Sequence, residues 1–368
     1  MSIHTTITLP SSTTAHNWKP PGPNPPRAIL ILQHGFGEYA ERYVKSHSRL
    51  ILRLTEWNIE VWALDLEGHG PSAGEKRRGV VDVRRAVRDH AWLVGFVSRT
   101  AEDNATAMTT ATEPSSTSSN GNNKPPIFLF GHSLGGLITA ASASALFSAS
   151  ASSSPKTLNN DHGNQLHINS VILSSPVFPL HSCHWLLILL ASLILRVLMF
   201  LFPYTQVPFP DLPADTLCGD EEQARLTAGD PMIYHGQISW TVAATAVDVI
   251  RDIWRAIRRG VWCVKSDPTG QDGEEVGVLV VHGRGDRWAD WRGSKAFVEG
   301  VQRSRLAIGS RGTGRQAEAE VGDGRSAVRL VVMERPYHEL LNGAGTDGEE
   351  ILKLLLQWIE ERISARES

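Results

Sequence analysis

Cysteine is scarce: the 368 residues hold only Cys183, Cys218 and Cys263. An odd number so widely spaced fits neither a disulfide framework nor a Cys-x-x-Cys metal site, and reads as reduced thiols. The opening residues, Met-Ser-Ile-His-Thr-Thr, lack the basic and apolar regions of a secretory signal. The expectation is a cytoplasmic protein, not secreted. A charge bias is also missing. Lys and Arg number 36 against 39 Asp and Glu, with no long basic run, which argues against a nucleic-acid partner. Gly68-His69-Gly70 is too short for a dinucleotide fingerprint, and no Walker sequence occurs. No His/Cys/Asp cluster shows metal-ligand spacing, so neither cofactor nor metal is expected. What is present is 41% hydrophobic residues, enough to bury a large core without staples.

Continuous apolar runs at 27–33 (RAILILQ), 59–64, 127–130, 168–173, 277–281 and 328–332 predict buried parallel strands. Helical spacing at 46–57, 81–99, 134–147, 241–259, 293–301 and 349–363 alternates with them. This succession predicts an α/β fold, a mostly parallel central sheet flanked by helices. Four polar stretches, 100–126, 148–167, 267–275 and 304–326, read as disordered insertions. Each precedes a strand, at the sheet edge opposite the one where such folds bind ligands. The segment 178–240 follows a strand, exceeds ordinary loop length and carries its own apolar helix. It reads as a helical lid dividing the core into 1–177 and 241–368.

Gly131-His132-Ser133-Leu134-Gly135-Gly136 sits between the strand IFLF and a helix. A Gly-x-Ser-x-Gly elbow in that context lifts its serine hydroxyl out of the sheet as a nucleophile, here Ser133. A serine hydroxyl needs a base and an orienting carboxylate, which follow in the order acid, then histidine. His338 is the only histidine after the last strand. For the acid, Asp286 directly follows a strand and a glycine, whereas Asp290 opens a helix and fits a cap. His34, His69, His132 and His282 each flank a glycine and are expected to make local hydrogen bonds. Backbone amides of the loop 34–38, with the Leu134 amide, are placed to face an oxyanion.

His34-Gly35-Phe36-Gly37-Glu38, continuing to Glu41-Arg42-Tyr43, resembles the opening block of monoacylglycerol lipases and related lysophospholipases. So do Asp65-Leu66-Glu67-Gly68-His69-Gly70-Pro71-Ser72, the elbow, Gly229-Asp230-Pro231-Met232, Gly285-Asp286-Arg287 and Tyr337-His338-Glu339-Leu340-Leu341-Asn342. The blocks run in the same order from about residue 18 to the carboxyl terminus. The resemblance implies an α/β-hydrolase with Ser133 as nucleophile, Asp286 as acid and His338 as base. It also implies Phe36 and Leu134 amides as the oxyanion hole, and a lipid ester as substrate. Arg335-Pro336 departs from the Gly-Ala pair usual before the histidine. A lysophospholipase, a broad carboxylesterase, a peptidase or a non-catalytic lipid receptor shares parts of this pattern. The filled triad argues against a receptor, and the apolar lid against a peptidase.

Within the lid, 185–202 (WLLILLASLILRVLMFLF) carries one charge, Arg196, and as a helix spans about 27 Å. A membrane span there would separate Ser133 from Asp286 and His338, so the span is rejected. His181, His184, Ser192 and Arg196 fall in one arc of about 120° at helical spacing. The remaining surface is expected to line an acyl channel and to meet a membrane or lipid-droplet surface; packing inside the lid or a homodimer contact is the alternative.

Overall fold

The computed structural model describes residues 2–46, 48–72, 78–111, 124–151, 168–178, 185–208, 216–263, 275–313, 327–343 and 345–367. Among these residues eight strands form one sheet: β1 (Ile3–Thr8), β2 (Thr14–Lys19), β3 (Ala28–Gln33), β4 (Ile59–Leu64), β5 (Ile127–His132), β6 (Ile168–Ser174), β7 (Gly277–Gly283) and β8 (Val328–Met333). Their order is β1-β2-β4-β3-β5-β6-β7-β8. From β4 to β8 all pairs are parallel, while β1–β2 and β2–β4 are antiparallel. The helices are α1 (Arg42–Lys45), α2 (Leu50–Glu56), α3 (Val83–Ala111), α4 (Leu134–Ala151), α5 (Trp185–Leu201), α6 (Glu221–Gly229), α7 (Trp240–Arg258), α8 (Trp291–Thr313) and α9 (Asp347–Glu367).

The six parallel strands are those the apolar runs predict. The β1–β2 hairpin is an addition that those runs do not signal, because IHTTIT and TAHNWK are mostly polar and β1 is largely exposed. Three of the polar stretches begin as helix: α3 extends through Ala111, α4 through Ala151 and α8 through Thr313. Long polar runs continue a helix readily once its first turns are fixed by packing, since each added residue costs little. The remainders, 112–123, 152–167, 264–274 and 314–326, lie outside the described residues; each falls between a helix and the strand that follows it.

Alternation along each inner strand divides two apolar layers. Ile29, Ile31, Leu129, Val278 and Val280 point into the layer with α3, α4, α7 and α8. Leu30, Leu32, Phe128, Phe130, Leu279 and Val281 join α2 and α9 on the other face. The centre of the first layer is α4, whose Ala and Ser residues admit close neighbours on either side. Its Ser144 Oγ accepts Trp262 Nε1–H at 3.0 Å, and Ser142 Oγ meets His90 Nδ1 at 2.7 Å. Because Ser142 Oγ donates to Thr139 O, His90 Nδ1 is the protonated nitrogen. Among the described residues the buried His90 Nε2 has no partner.

The site is positioned by the sheet order. From β3 the chain moves to β4 on one side, and from β5 to β6 on the other. The carboxyl ends of β3 and β5 therefore form the topological switch point, where the loop 34–38 and the elbow meet.

Burial pushes His90 down to about 4, since a second ring proton would lack an acceptor. A histidine depressed in the fold favours folding above its unfolded value of 6.5 and loses that contribution as pH falls through 4. Thermal unfolding measured from pH 7 to 4 should show a falling Tm, and His90→Leu should flatten that slope.

Candidate active site

Ser133 closes β5 with φ +53°, a left-handed conformation that costs a non-glycine residue of order 1–3 kcal/mol. The surrounding backbone holds it there: Ser133 N–H donates to Ser174 O at 3.0 Å, and Ser133 O accepts from Gly136 at 3.0 Å. Neighbouring glycines are a steric requirement. A Cβ at Gly135 would lie 2.3 Å from the Gln33 and His34 carbonyl oxygens, and one at Gly131 2.5 Å from Gly135 O. The strained turn is possible because α4 begins directly against the end of β3.

His338 brings the three predicted residues together. Its Nε2 lies 2.8 Å from Ser133 Oγ and its Nδ1 2.7 Å from Asp286 Oδ2. The other Asp286 oxygen accepts Trp288 and Ala289 N–H at 2.8 and 3.0 Å. A carboxylate accepting at Oδ2 fixes the Nδ1–H tautomer, leaving Nε2 unprotonated toward the serine. Burial raises the Asp286 pKa, but hydrogen bonds from His282 and His338 outweigh it and hold the carboxyl well below its usual range. Asp290 accepts Arg292 N–H at 2.9 Å at the start of α8, as a cap. Leu134 is the first residue of α4, where a backbone N–H has no intrahelical acceptor. Phe36 lies in the β3 loop; its ring meets His69 and Tyr234 edge-on at 5.2 and 5.7 Å.

The glycine-flanking histidines make local bonds. His34 Nε2 accepts Leu66 N–H at 3.1 Å, His69 Nδ1 meets Glu67 O at 2.9 Å, and His132 Nδ1 meets Ser174 O at 3.1 Å. His282 does more than that reading gave it. Its Nε2 approaches Asp286 Oδ2 at 3.1 Å while Nδ1 meets Ser294 Oγ at 2.8 Å, so it orients the acid.

A buried charge cluster was also missed. Arg42 bonds Glu38, and it reaches Glu339 with both terminal nitrogens, at 2.9 and 2.8 Å. Glu38 in turn accepts Gly35 N–H at 2.7 Å and the Tyr43 hydroxyl at 2.9 Å. This ties the β3 loop to the residue after His338. Burial raises the Glu38 pKa, but the Arg42 charge overcomes it and holds the group at about 2. The pairing joins positions 297 residues apart, so no local pattern announces it; Glu38 and Arg42 stood only as letters in the opening block.

Residues of 178–240 border both loops. Tyr39 Oη donates to Asp230 at 2.6 Å, Tyr234 N–H donates to Gly37 O at 2.8 Å, and Leu217 O accepts Glu339 N–H at 2.7 Å. The Arg335-Pro336 departure does not displace the histidine: Arg335 Nε lies 2.8 Å from Asp347 Oδ2 of α9, and Gly285 N–H donates to Arg335 O at 3.0 Å. Among the described residues no helix is long and apolar enough to cross a membrane.

Arg42→Met should lower the unfolding free energy by about 3–5 kcal/mol, because two buried carboxylates lose their cation. Adding Glu38→Gln and Glu339→Gln should recover part of that loss. Urea unfolding of both variants measures it.

A solved structure of a soluble variant of monoglyceride lipase from Saccharomyces cerevisiae, with a substrate analog, covers 97% of this chain and 94% of its own. It aligns with TM-score 0.61 at 18% identity. A monoacylglycerol lipase of Paleococcus ferrophilus aligns with TM-score 0.54 at 20% identity over 99% of both chains. In sequence, the monoacylglycerol lipase of Mycolicibacterium smegmatis is 28% identical over 276 residues, 75% of this chain and 76% of that protein. The monoglyceride lipase of Rattus norvegicus is 25% identical over 284 residues, 77% and 72% of the two. The family described as serine aminopeptidase, S33 matches residues 24–310, a stretch that carries the elbow, Ser133 and Asp286. With that match over most of its length on an eight-stranded, mostly parallel sheet, the chain belongs to the serine aminopeptidase S33 family of α/β-hydrolases.

Proposed function

We propose that the protein hydrolyses carboxyl esters of lipids, with monoacylglycerol as substrate, through an acyl-enzyme on Ser133. The observation that carries this reading is the single imidazole of His338 bonded at once to Ser133 Oγ and Asp286 Oδ2. In the first half-reaction Ser133 Oγ attacks the ester carbonyl carbon while its proton passes to His338 Nε2. Asp286 holds the imidazolium that forms, and the Phe36 and Leu134 amides donate to the oxyanion. Collapse breaks the bond to the glycerol oxygen, which takes the proton from His338. In the second half, His338 draws a proton from water, whose oxygen attacks the acyl carbon and frees the fatty acid and Ser133.

A lipid substrate is supported by the names of the relatives and by the surface of α5. Arg196 donates to Asp248 of α7 at 2.8 Å, and Ser192 is buried. Arg196 itself stays half-exposed, His181 and His184 lie outside the described residues, and Leu193, Ile194, Val197, Phe200 and Leu201 are exposed, Phe200 by 83%. We read 178–240 as a lid whose outer face meets a membrane or lipid-droplet surface. The side chains of Leu186 and Leu187, on the same helix, lie outside the described residues. A peptidase, the activity in the family's description, gains nothing from such a face.

Ser133→Ala should abolish hydrolysis of monoacylglycerol and labelling by a serine-directed phosphonate, with the fold retained. Asp286→Asn should lose about 10⁴-fold in kcat through the wrong tautomer, while Asp290→Asn stays near wild type. The opposite ranking would move the acid.

A second expectation concerns the lid face. The protein should float with phospholipid vesicles. Leu193→Glu with Val197→Glu should release it, each fully buried side chain contributing about 1.5–3 kcal/mol. Activity on dispersed long-chain monoacylglycerol should then fall while turnover of a soluble short ester persists. Equal loss on both would place these residues in the acyl channel instead.

A further inference from the structure

At the outer edge of the sheet, away from the triad, three metal-binding donors converge from three elements. The β1–β2 register pairs His4 with Trp18 and Thr6 with His16, so His4 and His16 are diagonal neighbours on one face of the hairpin. Trp18 on that face belongs to the same apolar cluster as Ala40 and Tyr43, the residues around Glu41 at the start of α1. The ligand atoms of His4, His16 and Glu41 all lie within 4.8 Å of one another. Spacings along the chain gave no hint of the cluster, because strand pairing creates it.

The protonation pattern fits a metal ligand. His16 is buried, and its Nε2 lies 2.9 Å from Asp65 Oδ2. A carboxylate only accepts, so Nε2 carries the hydrogen and the Nδ1 lone pair points at His4 Nε2, 3.0 Å away. A carboxylate behind an imidazole is the arrangement that orients metal-bound histidines and raises their basicity. Two nitrogens on one tetrahedral zinc, at about 2.0–2.1 Å each, sit about 3.3–3.4 Å apart. The observed separation needs only a few tenths of an ångström more, with rotation of His4, and His4 is exposed on the edge strand. Among the described residues, Glu41 forms an ion pair with the mostly exposed Lys45 at 3.4 Å, which the metal would replace.

We propose that His4, His16 and Glu41 bind one divalent cation of the zinc class, with water completing the tetrahedron. Two imidazoles favour such a metal over magnesium or calcium, which take oxygen ligands. On binding, the His4 ring proton moves to Nδ1 and Nε2 takes the metal. The ion fastens the exposed strand β1 to α1. The same Asp65 that orients His16 accepts Ala40 N–H at 2.7 Å, so the metal also braces the chain just after the β3 loop.

The test uses the full chain stripped with a chelator and titrated with zinc by calorimetry, with cobalt absorption as the reporter of tetrahedral geometry. Wild type should bind with micromolar affinity or better and show intense visible cobalt bands, and saturating zinc should raise Tm by about 2–4 °C. His4→Ala and Glu41→Gln, both at accessible positions, should bind at least tenfold more weakly and lose the cobalt bands and the Tm rise. His235→Ala, an exposed histidine elsewhere, should behave as wild type. No saturable binding below about 100 µM zinc, or the same affinity and Tm response in wild type and His4→Ala, would overturn the site.

Discussion

The left-handed backbone of Ser133 is the constraint around which the molecule is arranged. A residue with a Cβ at φ +53° returns to a relaxed conformation unless its neighbours prevent it. Here β5 is flanked by β3 and β6, Ser174 O takes the serine N–H, and α4 starts at once, pressed against the end of β3. The β3 end leads into the 34–38 loop, α4 begins with Leu134, and β7 and β8, beyond β6, carry the loops with Asp286 and His338.

Around this elbow the charges are arranged in two chains. One runs from Ser294 through His282 to Asp286 and His338, and sets which nitrogen faces the serine. The other places Arg42 between Glu38 and Glu339, so the loop carrying Phe36 and the loop carrying His338 share one cation. A buried ion cluster of this kind adds little net stability over apolar packing. It does fix the separation of two loops that no strand pairing connects. Tyr234 and Leu217, from the segment 178–240, bond to these two loops.

Much of this was legible in the sequence, for physical reasons. Strands covered on both faces must be continuously apolar, and all six parallel strands were visible as such runs. The elbow needs glycines at fixed offsets; chain order pointed to His338, and the capping argument separated Asp286 from Asp290. The β1–β2 hairpin was invisible because one strand is exposed and the other carries His16, Asn17 and Trp18 in place of an apolar run. The outer turns of α3, α4 and α8 were hidden in polar stretches. Pairings across hundreds of residues, such as Arg42 with Glu339, leave no periodic trace, and neither does the meeting of His4, His16 and Glu41. The ion pair of Arg196 depends on Asp248 of another helix, which helical spacing alone does not locate.

The central claim is that this geometry serves a lipid monoester. Its most direct test is product analysis and kcat/KM across long-chain monoacylglycerols, lysophosphatidylcholine, a short-chain ester and an aminoacyl peptide. Equimolar glycerol and fatty acid are expected from monoacylglycerol, with kcat/KM at least about tenfold above every other substrate, where one tenfold step is about 1.4 kcal/mol of transition-state binding. Preferential cleavage of the peptide, or no release of fatty acid from any lipid ester, would contradict it.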